Sequence, residues 1–171
     1  IIPVANRGHA MTFIKSHDIL AKCDRGMISS KEGSVNLYRI HHHRVFNPDL
    51  FKQMIYVKQS RSFMDQGFKK LLKTEPVLRL PLSSQITGNC SWANVEAAVP
   101  TILFLLMARE MIDKNPHEVR QCIDTAWSLY EEWSRWDQDR ALDSCIQSFY
   151  AASPARKASK ASVLGAILFQ R

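Results

Sequence analysis

The sequence predicts an α+β fold, with a small antiparallel sheet from residues 5–40 packed on a central buried helix that starts at Cys90, and further helices after it. Three observations predict it. The run Val35-Asn36-Leu37-Tyr38-Arg39-Ile40 alternates apolar and polar positions with the period of a strand that buries one face. The stretch Cys90–Ile112 is apolar nearly all round, through Val95, Ala98, Val99, Ile102, Leu103 and Leu106, which places it inside a fold rather than on its surface. From Cys90 onward no strand pattern occurs.

The elements follow in order. His9–Lys15 and Ile19–Cys23 read as strands around a polar Ser16-His17-Asp18 turn, and a third strand, Ser34–Ile40, follows Gly33. After Pro48 apolar residues recur three and four apart, so Asp49–Lys58 and Ser62–Lys73 are predicted helices, the second carrying Phe68, Leu71 and Leu72. Pro76 and Pro81 bracket a connector that includes a short strand, Val77–Leu80. Pro100 is expected to kink or split the central helix. Asn115-Pro116 supplies an N-cap and an N1 proline for the next helix. Its apolar face is Val119, Ile123, Trp127, Tyr130 and Trp133, and the pattern extends through Leu142, Ile146 and Phe149. Ser153-Pro154 opens the last helix, with Leu164, Ile167 and Leu168. The domain reading is a core over residues 1–112 and a helical extension over 113–171, either separate or part of the same domain.

Composition sets outer bounds. The chain has 171 residues, 46% apolar and 23% charged, which excludes collagen-like, low-complexity and wholly disordered classes. Its longest apolar stretch, Ala97–Ala108, is too short to span a bilayer. The chain opens on Ile1 rather than methionine, so a preceding segment is expected. Cys23, Cys90, Cys122 and Cys145 lie far apart with no CxxC pair, against a zinc knuckle or disulfide scaffold and in favour of a reducing compartment. Net charge is +7, and the excess sits in the first half: residues 1–80 hold 14 Lys/Arg against 6 Asp/Glu. No nucleic-acid-binding signature accompanies it, so no nucleic acid partner is expected. A solvated basic face accounts for the charge.

The informative segment is Gln85-Ile86-Thr87-Gly88-Asn89-Cys90-Ser91-Trp92. Gly88-Asn89 makes a loop and Asn89 can cap a helix, which sets Cys90 in that helix's first turn. Backbone N–H groups and the helix dipole there favour a thiolate, lowering a thiol from its usual pKa of about 8.5. The same N–H groups can donate to an oxyanion, and Gln85, five residues upstream, can add a side-chain amide. Cys90 therefore reads as a nucleophile. The plainer alternative is a small buried residue; Cys23, Cys122 and Cys145, which lack that context, read as core or surface filler.

A thiolate nucleophile needs a base. Papain-like enzymes also place a glutamine before a Cys-x-Trp-Ala run, but their histidine follows the cysteine on a strand; here the only later histidine is His117, in the polar first turn of a helix. A strand-borne base must come from before Cys90, and His9 opens the first strand of the hairpin. Asp24 closes the second, so in an antiparallel pair about 5 Å apart it can orient the His9 ring. That is the logic of nucleophile, base and orienter. Against it stand a strand histidine and a turn aspartate with no chemistry. His41-His42-His43 cannot converge on one ion along a strand, so no metal is expected. His17 belongs to the exposed turn, and the stripe Trp127, Tyr130, Trp133 and Trp136 reads as core packing rather than a ligand cage.

The order His9, Asp24, Gln85, Cys90 resembles the ubiquitin-like-protein protease (adenain/sentrin protease) superfamily. The turn Cys23-Asp24-Arg25-Gly26 and the segment Gln85–Trp92 are also similar to effectors of intracellular bacterial pathogens. Ala10, where many members have tryptophan, and Ser91, where glycine is usual, depart from the pattern, as does the slightly short spacing from Gln85 to Cys90. The resemblance implies a thiol hydrolase of peptide or isopeptide bonds, with Cys90 as nucleophile, His9 as base, Asp24 as orienter and Gln85 as oxyanion donor. It implies a protein substrate, ubiquitin or a relative, whose C-terminal tail lies beside Trp92 and the linker Pro76–Ser84. It also implies secretion into the host cytoplasm. No cofactor is expected for hydrolysis. An acyltransferase on the same residues, with Lys69, Lys70 and Lys73 holding a phosphorylated cofactor, and an inactive interaction module remain the alternatives.

Overall fold

Alternation decides the sheet. In the computed structural model, which describes residues 1–6, 9–26, 34–57, 60, 63, 72–80, 82 and 90–169, five antiparallel strands pair in chain order. They are β1 (Ile2–Asn6), β2 (His9–Ser16), β3 (Ile19–Cys23), β4 (Val35–Arg39) and β5 (Leu78–Leu80). The β2–β3 register pairs Thr12 with Cys23 and Ser16 with Ile19 around a turn in which His17 takes a positive φ of 51°. The sheet begins three residues earlier than the sequence predicts. β1 carries Pro3, which an edge strand tolerates because the missing N–H would point away from the ladder.

Successive side chains on a strand point to opposite faces, and each face has its own core. On one, Ile14, Ala21, Cys23, Val35, Leu37 and Leu80 pack with the central helix, α2 (Cys90–Ala108). On the other, Ile2, Val4, Met11, Phe13, Leu20 and Tyr38 pack with Met54 of α1 (Pro48–Tyr56). Asn47 caps α1 by accepting the Leu50 N–H at 2.9 Å, and Pro48 takes the first helical position. The expected helix Ser62–Lys73 falls largely outside the described residues.

α2 runs from Cys90 to Ala108 and passes one short 3₁₀ turn, Arg109–Met111. It is not split at Pro100. The proline removes one backbone donor, and next to it the Thr101 hydroxyl donates to the Ala97 carbonyl at 2.7 Å, so the polar side chain is satisfied inside the core. Phe104 is fully buried; an apolar side chain of that kind contributes about 1.5–3 kcal/mol by leaving water.

α3 spans Pro116–Tyr150 and α4 Pro154–Phe169. Asn115 accepts the N–H groups of His117 and Glu118 at 3.2 and 3.3 Å while its amide donates to Glu118 at 2.6 Å, closing a reciprocal cap.

The chain divides into two compact units, residues 1–127 and 128–171. The first extends into α3 because Val119, Cys122, Ile123, Ala126 and Trp127 pack on the α2 core. Within the second, Lys160 donates to Ser148 and the Lys157 ammonium lies 5.7 Å from the Phe149 ring. The aromatic stripe is not core throughout. Trp133 and Trp136 are 47% and 53% exposed, the latter under the Arg140 guanidinium at 4.7 Å.

Candidate functional site

The site is built at the outer end of the β2–β3 hairpin. His9 opens β2, and Asp24 directly follows β3, where its N–H still donates to the Ser34 carbonyl at 2.8 Å. The β2–β3 register ends at the Thr12–Cys23 pair, and the turn after it brings Asp24 and Gly26 to the His9 ring. His9 Nε2 lies 3.1 Å from Asp24 Oδ1. The same carboxylate oxygen accepts the Gly26 N–H at 2.9 Å, and Lys22 Nζ lies 3.8 Å from Asp24 Oδ2. Asp24 is 4% exposed, while the His9 side chain keeps 28% of its surface in solvent. A buried acceptor thus holds a ring that remains reachable.

Gly26 has a steric role. A Cβ there would stand 2.6 Å from His9 Cε1, closer than real contacts allow, and a tight 3.1 Å from Asp24 Oδ1. Glycine lets the chain close over the imidazole without displacing the ring.

The electrostatics favour an ionised Asp24. Burial works to raise its carboxyl, but the hydrogen bonds from His9 and Gly26 and the charges of His9 and Lys22 outweigh it, leaving the group below its usual value. An unfolded aspartate titrates near pH 3.9, so this carboxylate contributes stability that is fully present above about pH 4 and is lost as pH falls through the lower folded value. Urea unfolding of wild type and Asp24→Asn at pH 7 and pH 3 checks it. The stability gap is expected to shrink at pH 3, and an equal gap at both pH values would contradict a depressed carboxyl. Cys23, by contrast, is sealed under α2, where burial pushes its thiol up to about 12, against the Thr101 hydroxyl contact and with the Asp24 charge. It is no nucleophile.

The head of α2 is fastened to this hairpin end. Asn94, 2% exposed and one turn after Cys90, donates its amide to the Ala10 carbonyl and accepts the Arg25 N–H at 3.4 Å. The Arg25 guanidinium pairs with Glu96 on the same helix. Farther along, Thr101 Oγ1 lies 4.0 Å from Cys23 Sγ. The helix therefore runs inward from the hairpin's outer end, and its backbone at Cys90 lies about 6 Å along the axis beyond Asn94. α2 packs on the face opposite to His9.

Of the residues the sequence singles out, the structure brings His9 and Asp24 together and sets Cys90 and Trp92 in the first turn of α2. Gln85 lies outside the described residues, as do Lys69 and Lys70. His41, His42 and His43 are exposed beyond β4, and His117 is exposed at the head of α3. Lys22, Asn94 and Glu96 have no role in the sequence reading, and Gly26 enters it only within the turn Cys23-Asp24-Arg25-Gly26. Asn94 and Glu96 carry one signal: with Ser91 and Thr101 they are the polar residues of an otherwise apolar helix, four and six positions after Cys90.

A groove of about 500 Å³ runs along the edge of β1, between α2 and the end of α1. Pro3, Ala10, Tyr56, Val95 and Val99 line it, and Asn94 stands in its wall. Among the described residues no helix is long and apolar enough to cross a membrane.

A His–Asp pair at the outer end of the β2–β3 hairpin, fastened through Asn94 to a helix that begins at Cys90, marks one end of an α+β domain. Among solved structures the chain is similar to the Legionella effector AnkH, with 47% identity over 99% of this chain and a TM-score of 0.81. It spans 34% of that chain's length. No protein-family model and no curated protein matches.

Proposed function

We propose that this chain is the thiol-hydrolase core of a bacterial effector that acts in the host cytoplasm on a peptide or isopeptide bond, in the manner of the ubiquitin-like-protein proteases. One observation carries the reading. The His9–Asp24 pair, 3.1 Å apart, stands at the strand ends to which Asn94 ties the first turn of α2. The likeness to a Legionella effector supports the setting, and the order of His9, Asp24, Gln85 and Cys90 supports the chemistry.

The contact through Nε2 fixes the roles of the ring nitrogens. Asp24 Oδ1 accepts the Nε2–H, which leaves Nδ1 to take the proton from the Cys90 thiol. The thiolate attacks the substrate carbonyl, and the Cys90 N–H with the Gln85 amide holds the oxyanion. The imidazolium then protonates the leaving amine, and water, deprotonated by the same nitrogen, releases the acyl group from sulfur. Asp24 stabilises the imidazolium in both half-reactions. The apolar groove along β1 reaches Ala10, next to His9, and offers a bed for an extended protein segment.

The test is covalent capture. Ubiquitin and SUMO carrying a C-terminal vinyl electrophile are expected to label wild type at Cys90, as read by mass spectrometry, and to leave Cys90→Ala unlabelled. Labelling by an acyl-cofactor donor in place of these probes points to an acyltransferase. A folded chain that neither probe labels, with Cys90 alkylated at the same rate in wild type and His9→Ala, overturns the enzyme reading.

A further inference from the structure

We infer that Asn94 is a positioning residue for the His9–Cys90 pair, and that the Arg25–Glu96 ion pair is its outer strut. The inference rests on the hydrolase reading and adds to it the device that sets the reacting distance.

The need for such a device follows from the layers. His9 belongs to the sheet face covered by α1, and α2 packs on the other. Apolar packing between α2 and the sheet fixes the separation of the two layers, but it is non-directional and tolerates sliding along the helix axis. A slide of one residue would carry the first turn of α2 about 1.5 Å past the strand ends. Directional bonds are needed to stop it.

Asn94 supplies them at the right place. Its amide donates to the carbonyl of Ala10, the neighbour of His9, and its oxygen accepts the N–H of Arg25, the neighbour of Asp24. One buried side chain therefore touches both strands at the residues adjoining the His–Asp pair, and does so one helical turn from Cys90. An amide suits this task because it carries both a donor and an acceptor. Glu96, two positions on, binds the Arg25 guanidinium, so the turn that carries Arg25 is held by its backbone and by its side chain. The same turn ends in Gly26, which closes over the His9 ring. Displacing the helix head thus moves Cys90 relative to His9 and loosens the turn above the imidazole.

The test is the pH dependence of Cys90 alkylation by iodoacetamide, with kcat and KM on a fluorogenic ubiquitin C-terminal amide. Folding is followed by near-UV circular dichroism. Wild type is expected to show an alkylation inflection well below that of an ordinary thiol, near pH 8.5, and His9→Ala to return it there. Asn94→Ala is expected to move the inflection toward that of His9→Ala and to lower kcat about a hundredfold, the cost of roughly 1 Å of misplacement, with KM little changed. Glu96→Ala is expected to move both in the same direction by less. Wild-type inflection and kcat in folded Asn94→Ala overturn the inference. If Asn94→Ala does not fold, the same result in Glu96→Ala overturns it. Identical inflections in wild type and His9→Ala identify the other failure, that of the hydrolase reading itself, and remove the inference with it.

Discussion

On the hydrolase proposal, replacing His9 with alanine is expected to slow hydrolysis of a ubiquitin C-terminal amide by about 10²- to 10⁴-fold, the range that a positioned general base contributes. The ring is the group at this hairpin end that can both accept a thiol proton and return it to a leaving amine. Lys22 lies on the far oxygen of Asp24 and its ammonium has no acceptor to offer. The loss should fall in kcat. A second signature separates a base from a structural histidine: the pH–rate profiles of wild type and His9→Ala should differ in shape and not only in height. Equal rates and equal profiles in the two proteins would remove His9 from the chemistry. Cys90→Ala gives the zero.

Gly26→Ala should be nearly as damaging, through the space it fills beside His9. The added Cβ would stand 2.6 Å from His9 Cε1, so either the ring or the turn must move by several tenths of an ångström. The carboxylate cannot follow, because Asp24 is buried and held by the Gly26 N–H and Lys22. The ring therefore gives way and its contact with Asp24 opens. A loss of about a hundredfold in kcat is expected, since displacements near 1 Å cost that much. Gly165→Ala is the control. It lies in α4 with nothing within 4 Å of the added methyl, so its only effect should be helix stabilisation of up to about 1 kcal/mol. Activity retained in Gly26→Ala would show that the ring is not confined.

The elements that the sequence announces are those with a strong local signal. β4 shows because Val35–Ile40 alternates in a sheet buried on both faces yet still carries polar Asn36 and Arg39. α3 shows because Asn115-Pro116 is a start signal whose hydrogen bonds are local. β1 is harder to read, since Pro3 argues against a strand until the strand is known to lie at the sheet edge. Trp133 and Trp136 mislead in the opposite direction: helical spacing gives the face a residue occupies but not whether another element covers it.

For the site, the sequence determined the kinds of groups and their order along the chain: an imidazole at one strand's opening, a carboxylate at the next strand's close, and a cysteine at the head of an apolar helix. Those follow from local patterns, because strand alternation and helix capping act over a few residues. Tertiary structure alone decided that Asp24 bonds Nε2, that a side chain at Gly26 would crowd the His9 ring, and that Asn94, about seventy positions from Arg25, joins the helix head to the hairpin. Such contacts depend on the register of two strands and on the setting of one helix across them. Neither is written in the periodicity of any single segment.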